Sequence, residues 1–151
     1  MYSISASLPV GILLAQKSPD LWTVQPTTTV FDAIKLMADK NIGSVLVLDE
    51  GNVVGIFTER DYTRKMVLMG RSSKETRVSE VLNSNVITVT AVDSIELCMK
   101  LMVEKKVRHL PIMDKGSVIG LVSIGDLVHC IISMQNNTIA QMEQYIAGLP
   151  G

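Results

Sequence analysis

Residues Thr23–Asp61 read TVQPTTTVFDAIKLMADKNIGSVLVLDEGNVVGIFTERD, and residues Thr88–Asp126 read TVTAVDSIELCMKLMVEKKVRHLPIMDKGSVIGLVSIGD. The two stretches align without a gap at an offset of 88 − 23 = 65 residues, and 11 of the 39 aligned positions are identical. The identities include Lys35/Lys100, Leu36/Leu101, Met37/Met102, Lys40/Lys105, Asp49/Asp114, Gly51/Gly116, Gly55/Gly120 and Asp61/Asp126. Ordinary residue usage gives about two or three matches by chance over such a length, so the chain carries two related units. Two copies are too few for a solenoid. The units are therefore expected to pack on each other and share a core.

Each unit predicts the same order of elements. A short strand comes first, Trp22–Val24 or Val86–Val89, followed by a polar turn, PTTT or AVDS. Thr28 and Thr29, or Asp93 and Ser94, are placed to cap a helix, because their side-chain oxygens can accept from its orphan amides. Val30, Ala33, Ile34 and Met37 then recur at helical spacing, as do Ile95, Cys98, Met99 and Met102. An apolar strand follows, SVLVL or HLPIM. A two-residue turn, Gly51–Asn52 or Gly116–Ser117, leads into a further strand, VVGIF or VIGLV. A second helix starts at Thr58 or Ser123. The result is a β-α-β-β-α order, an α/β (α+β) fold with small mixed sheets. Gly70–Arg77, GRSSKETR, reads as the polar linker between copies. A short helix over Leu8–Gln16 is expected before the first copy, and a terminal helix over Asn136–Ile146, with frayed residues after it. The expected divisions are an N-terminal helical segment (1–18), a first repeat (19–70), a linker (71–77), a second repeat (78–134) and a C-terminal helix and tail (135–151).

Composition narrows the function. Of 151 residues 47% are hydrophobic and 19% charged, which excludes a disordered chain. Two well-buried independent cores are not expected at this length. The net charge of −1 gives no field for nucleic acid or an anionic membrane, and 4% aromatics leave few bases a stacking platform. No apolar run is long enough to cross a bilayer, and the apolar patch Val10–Ala15 has no basic stretch before it, so it does not read as a signal peptide. The two cysteines, Cys98 and Cys130, have neither metal nor disulfide spacing and point to a reducing, cytoplasmic setting. Cys98 lies among apolar residues at helical spacing and reads as core. Cys130 follows His129 directly, and sequence neighbours on a helix do not face each other, so Cys130 also reads as core. Nothing in the chain pairs a nucleophile with a base, forms a Walker-type loop or clusters metal ligands, so no enzyme is expected.

The chemistry sits where strand meets helix. GIFTERD (Gly55–Asp61) matches GLVSIGD (Gly120–Asp126): a strand end, a hydroxyl residue, and an aspartate three positions later. This is the spacing of a capping box, in which hydroxyl and carboxylate satisfy backbone amides. The same convergence suits a vicinal diol, since each hydroxyl can donate to the carboxylate, and it repels a phosphate. A nucleotide bound there must point its phosphate at a cation. The second copy offers Arg108 and His109 just before its central strand. The first has the uncharged Gly43 and Ser44 at those positions, and instead carries Arg60 inside its motif and Arg64 and Lys65 one turn later.

The βαββα repeat with its Gly-x-x-Thr/Ser-x-x-Asp endings resembles a tandem pair of CBS domains, the Bateman module. The resemblance covers Pro19 to Ser133, about three quarters of the chain. TERDYTRK, GRSSK and VRHLPIMDKGSVIGLVSIGDLV resemble small stand-alone CBS-pair proteins. The resemblance implies two repeats packed as a pseudo-twofold pair with an adenosine nucleotide (AMP, ADP, ATP or NAD) in the clefts between them and no metal. It implies one cleft with Asp126 on the ribose, supported by Ser123, with Lys17, Trp22, Ile42, Gly43, Ser44 and Leu121 about the adenine and Arg108 and His109 on phosphate. It implies another with Asp61 and Thr58 on the ribose, Asn83, Ile87, Ile56, Val107 and Leu110 about the adenine, and Arg60 and Arg64 on phosphate. Arg71, Ser72 and Ser73 are further phosphate candidates. It also implies a head-to-head homodimer and an effector protein regulated in trans. The other reading is a structural or partner-binding homodimer in which the boxes serve as caps and no nucleotide binds.

Overall fold

The computed structural model describes residues 7–16 and 21–147. Lys17 and the expected frayed tail after Ala147 lie outside the described residues. The chain divides into two compact units, residues 20–86 and residues 1–19 with 87–151.

In the first, β1 (Thr23–Val24) leads through α2 (Val30–Lys40) to β2 (Ser44–Asp49), β3 (Asn52–Thr58) and α3 (Glu59–Asp61). In the second, α1 (Ile12–Gln16) precedes β4 (Val89–Thr90), α4 (Ile95–Lys105), β5 (His109–Asp114), β6 (Ser117–Ser123) and α5 (Ile124–Ala147). Each unit holds a three-stranded sheet, β1-β2-β3 or β4-β5-β6, parallel across its first pair and antiparallel across its second. This is the expected β-α-β-β-α order. Buried apolar residues form one cluster per unit: Val30, Ala33, Met37, Val45, Val47 and Phe57 among others in the first, and Ile95, Cys98, Met102, Leu110, Ile112 and Val122 in the second. The expectation of a single shared core is corrected here. Helix and sheet bury their apolar faces against each other within each unit.

Local chemistry explains the boundaries. The Thr29 hydroxyl accepts from the Asp32 amide and the Ser94 hydroxyl from the Leu97 amide, so these two are the caps. Thr28 and Asp93 instead brace the preceding turns, accepting from the amides of Gln25 and Thr90. The hairpin turns fall one residue earlier than expected, at Glu50–Gly51 and Lys115–Gly116, where φ is 50° and 83°, then 50° and 80°. Two successive positive φ values make a type I′ turn, whose twist matches the strands it joins. The first strands are shorter than expected. Val86–Thr88 stays outside the ladder, which β4 joins only at Val89.

Two helical expectations also change. After α3 the chain widens into a π-helix, Tyr62–Val67, in which the Leu68 amide reaches back to the Thr63 carbonyl. The Thr63 hydroxyl donates to the Glu59 carbonyl and competes for it with the backbone. At the other end, the second repeat's last helix and the expected terminal helix are one element, α5. No proline interrupts Ile124–Ala147, and its one glycine, Gly125, lies in the first turn.

The linker is stitched to its own unit. Ser73 and Thr76 carbonyls accept the amides of Phe31 and Val30, which are orphan donors at the start of α2. Thr76 is buried, and Arg77 donates to the Thr27 carbonyl at 2.7 Å.

The same stitching closes the second unit, with a segment from before the first repeat. Leu8–Leu14 corresponds to Thr76–Leu82 at an offset of 76 − 8 = 68 residues. The Ile95 amide donates to Leu8 as Val30 does to Thr76. Val10 donates to the Asp93 carbonyl as Val78 does to Thr28, and Gly11 to Ala91 as Ser79 does to Pro26. Leu14 and Leu82 then cover Gly120 and Gly55, where a Cβ would strike their side chains. Each repeat is thus closed by a segment that precedes the other.

Candidate functional site

The strand-to-helix junctions build matching devices. In the first unit the Asp61 amide donates to the Thr58 hydroxyl at 3.0 Å and the Thr58 amide to Asp61 Oδ2 at 3.1 Å. In the second the Asp126 amide donates to the Ser123 hydroxyl at 3.1 Å and the Ser123 amide to Asp126 Oδ2 at 2.8 Å. Both are reciprocal capping boxes. All four residues are half-buried. The helices begin here because the next amide is also satisfied: Glu59 donates to the Gly43 carbonyl and Ile124 to the Arg108 carbonyl. That bond ties the loop before the central strand to the start of the helix in each unit. Ser44 and His109, the next residues, pair in register with Thr58 and Ser123. So Gly43, Ser44, Thr58 and Asp61 gather at one sheet end, and Arg108, His109, Ser123 and Asp126 at the corresponding end of the other.

A carboxylate offers about four acceptor positions, and the box amide uses one. A half-buried carboxylate of this kind is a good acceptor for hydroxyl groups. In the first unit a cation stands beside the box. Lys65 Nζ lies 3.7 Å from Asp61 Oδ1 and donates to the Val81 carbonyl at 3.0 Å. The site expectations left Lys65 out in favour of Arg60 and Arg64, both of which are exposed. Its position one helical turn after Asp61 was the available signal. At the offset of 65 its counterpart is Cys130, a buried thiol, so the second unit has no ammonium at this position.

The remaining expected residues are placed as follows. Trp22 is half-buried with Lys40 Nζ 4.3 Å from its ring centre, a cation–π contact. Ile42 donates its amide to the Met37 carbonyl at the end of α2. Ile56 and Asn83 exchange backbone hydrogen bonds of 3.0 and 2.9 Å. Leu121 is half-buried on β6, Val107 is half-buried just before β5, and Ile87 packs at the edge of its unit's core. Leu110 is fully buried in that core. Of the linker candidates, Arg71 is engaged with Glu80 at 2.8 Å and Ser73 lends its carbonyl to α2. The Glu80 carboxyl is held below its ordinary range by the Arg77 amide it accepts and by the Arg71 guanidinium.

Both cysteines are buried free thiols. Burial, reinforced by the Asp93 charge, pushes the Cys98 thiol up to about 11. Burial also raises that of Cys130, whose Sγ lies 3.9 Å from Met134 Sδ, while His129 is exposed. Their expected role as core residues holds.

Known proteins share this arrangement. The CBS domain model matches twice, over residues 17–68 and 78–133. A mitochondrial CBS domain-containing protein of Arabidopsis thaliana is 38% identical over 125 residues, covering 80% of this chain and 61% of its own length. The chain thus spans about three fifths of that relative. A CBS domain-containing protein of Bacillus subtilis is 34% identical over 105 residues, covering 70% of this chain and 74% of its own. A solved CBS-domain structure from Burkholderia ambifaria has a TM-score of 0.80 at 48% identity and covers 83% of this chain and 94% of its own. With the family model matched twice over most of its length, the chain belongs to the CBS-domain family as a tandem pair.

Proposed function

We propose that the chain is a regulatory module that binds an adenosine nucleotide (AMP, ADP, ATP or NAD) and passes its occupancy to an effector protein in trans. The observation that carries this reading is the pair of half-buried boxes, Thr58/Asp61 and Ser123/Asp126, each beside the loop before a central strand. A ribose diol can donate to such a carboxylate, and Arg108, Arg60 and Arg64 are exposed cations for a phosphate. The ligand acts as a regulator and no chemistry is assigned to the chain.

Self-association fits the same reading. Ile124, Val128 and Ile132 recur every four residues on α5 and remain exposed, an apolar stripe suited to a second copy. Among the described residues no helix is long and apolar enough to cross a membrane. Two unbridged buried thiols suit the reducing cytoplasm.

The test is direct. Purified protein is denatured and filtered, and the filtrate is read by absorbance and chromatography. An adenosine compound in stoichiometric amount supports the proposal. A clean filtrate, together with no adenosine compound binding to the refolded chain, leaves the boxes as caps and the protein as a structural or partner-binding homodimer. Sedimentation of the same preparation reads the dimer.

A further inference from the structure

Within its compact unit, Leu8–Leu14 is held as a bound peptide is held. Residues 20–86 form the other unit and lie in the chain between this segment and the partners it holds, among them Ala91–Ile95 and Gly120. Its contacts are of two kinds. The backbone pairs with the turn before α4: Val10 donates to the Asp93 carbonyl at 2.7 Å, Gly11 to Ala91 at 2.9 Å, and Leu8 accepts from the Ile95 amide at 2.9 Å, with Pro9 bridged antiparallel to Ser94. The side chains anchor it: Val10 and Leu13 are buried in the core cluster, and Leu14 fills the space that Gly120 leaves on β6. The segment is itself a turn opening into α1, held by main-chain bonds to the turn before α4 and by apolar side chains that enter the core.

The seat is also selective. A Cβ on Gly11 would stand 2.9 Å from both the Ala91 carbonyl oxygen and its Cβ, and the first of these is backbone that cannot swing aside. Gly11 has no positive φ, so a side chain there is excluded by the seat and not by its own conformation. The corresponding seat on the first unit is filled by Thr76–Leu82, which that unit's own chain holds on both sides, through the Arg71 amide on Met66 and the Asn83 pairing with Ile56.

We infer that the groove bounded by Ala91–Ile95 and Gly120 is a peptide-recognition site for a short apolar segment of the pattern Leu-Pro-Val-Gly-x-Leu-Leu, and that residues 8–14 are its resident ligand. When the resident is displaced, the site accepts the same segment supplied in trans.

The experiment uses the full chain carrying Gly11→Val, which evicts the resident and leaves the groove intact, and a fluorescent synthetic peptide of residues 7–16. Anisotropy is expected to report one peptide bound per variant chain, with the variant's lowered melting temperature recovering as the peptide saturates. The wild-type chain, its groove filled, takes up little, and a peptide carrying the same Gly→Val change does not bind. A folded variant whose resident is displaced but which ignores the peptide overturns the inference, and so does a variant indistinguishable from wild type. Should the variant fail to fold, hydrogen exchange on the wild type decides. The amides of Val10 and Gly11 are expected to open independently of and faster than those of β5 and β6; exchange only with global unfolding overturns the proposal.

Discussion

Lys106 ends α4 in the left-handed region at φ 56°, as Asn41 ends α2 at φ 55°. Asparagine tolerates that region because its short polar side chain bonds locally, whereas lysine bears the Cβ–carbonyl clash in full. Lys106→Asn is expected to stabilise the protein by about 0.5–1 kcal/mol, read as a higher urea midpoint at unchanged slope. Cys98 makes a different statement. Its thiol titrates near 11 against an ordinary 9.0, because burial and then Asp93 penalise the thiolate. A raised folded-state value means that this stability is whole below the ordinary value and is lost as pH climbs through the folded one. The urea midpoint should therefore fall between about pH 9 and pH 11, and Cys98→Ala should remove that part of the fall. At about pH 8 an alkylating reagent should modify Cys98 only as fast as the second unit opens.

At the scale of elements, the linker is a working part of α2. Its Ser73 and Thr76 carbonyls take orphan amides, and Glu80 holds the turn that follows by accepting from the Arg77 amide and the Arg71 guanidinium. The Glu80 carboxyl is lowered, so its contribution is present above the ordinary value of 4.5 and is lost as pH falls through the folded one. As pH falls below that ordinary value, the amides of Val30 and Phe31 are expected to lose protection before those of β2, and Glu80→Gln should show the same loss at neutral pH. Glu80 is exposed, so the effect on global stability should be small. None of this was legible in GRSSKETR, whose composition reads as a spacer. Its role rests on carbonyl groups, which every residue type carries. The hairpins were legible to within one residue: DEGN and DKGS mark a turn, but whether glycine takes its first or second position depends on a φ that glutamate and lysine rarely adopt.

At the scale of the whole molecule, the repeat was legible because an ungapped offset of 65 preserves glycines, helix faces and boxes together. The segments that close each unit were not, because Leu8–Leu14 matches Thr76–Leu82 at 68 and shares only Val10/Val78 and Leu14/Leu82. Spacing also named the Thr58/Asp61 and Ser123/Asp126 boxes, yet spacing is the same for a cap and for a cap that also holds a ligand. Substitution separates the two roles. Asp61→Ala and Asp126→Ala each remove a capping bond, at a cost of about 0.5–2 kcal/mol without any ligand. If the aspartate also receives ribose hydroxyls, a further charged hydrogen bond worth roughly 1.5–3 kcal/mol disappears from binding, about a tenfold to hundredfold loss of affinity. A ligand confined to the folded state adds about 2.7 kcal/mol at a hundred times its dissociation constant. Thermal shifts are therefore expected to rank AMP, ADP, ATP and NAD above guanosine and free ribose for the wild type. Each alanine variant should melt lower without ligand and gain less from the best nucleotide, with the larger loss marking the junction that binds more tightly. Lys65 makes the comparison informative, because its ammonium stands 3.7 Å from Asp61 Oδ1 and its counterpart in the second unit is Cys130. Lys65→Met should change the nucleotide response of Asp126→Ala, in which the Asp61 junction is isolated, and leave that of Asp61→Ala alone. Two variants that melt lower yet keep the full wild-type shift would leave both aspartates as caps, with the nucleotide held elsewhere.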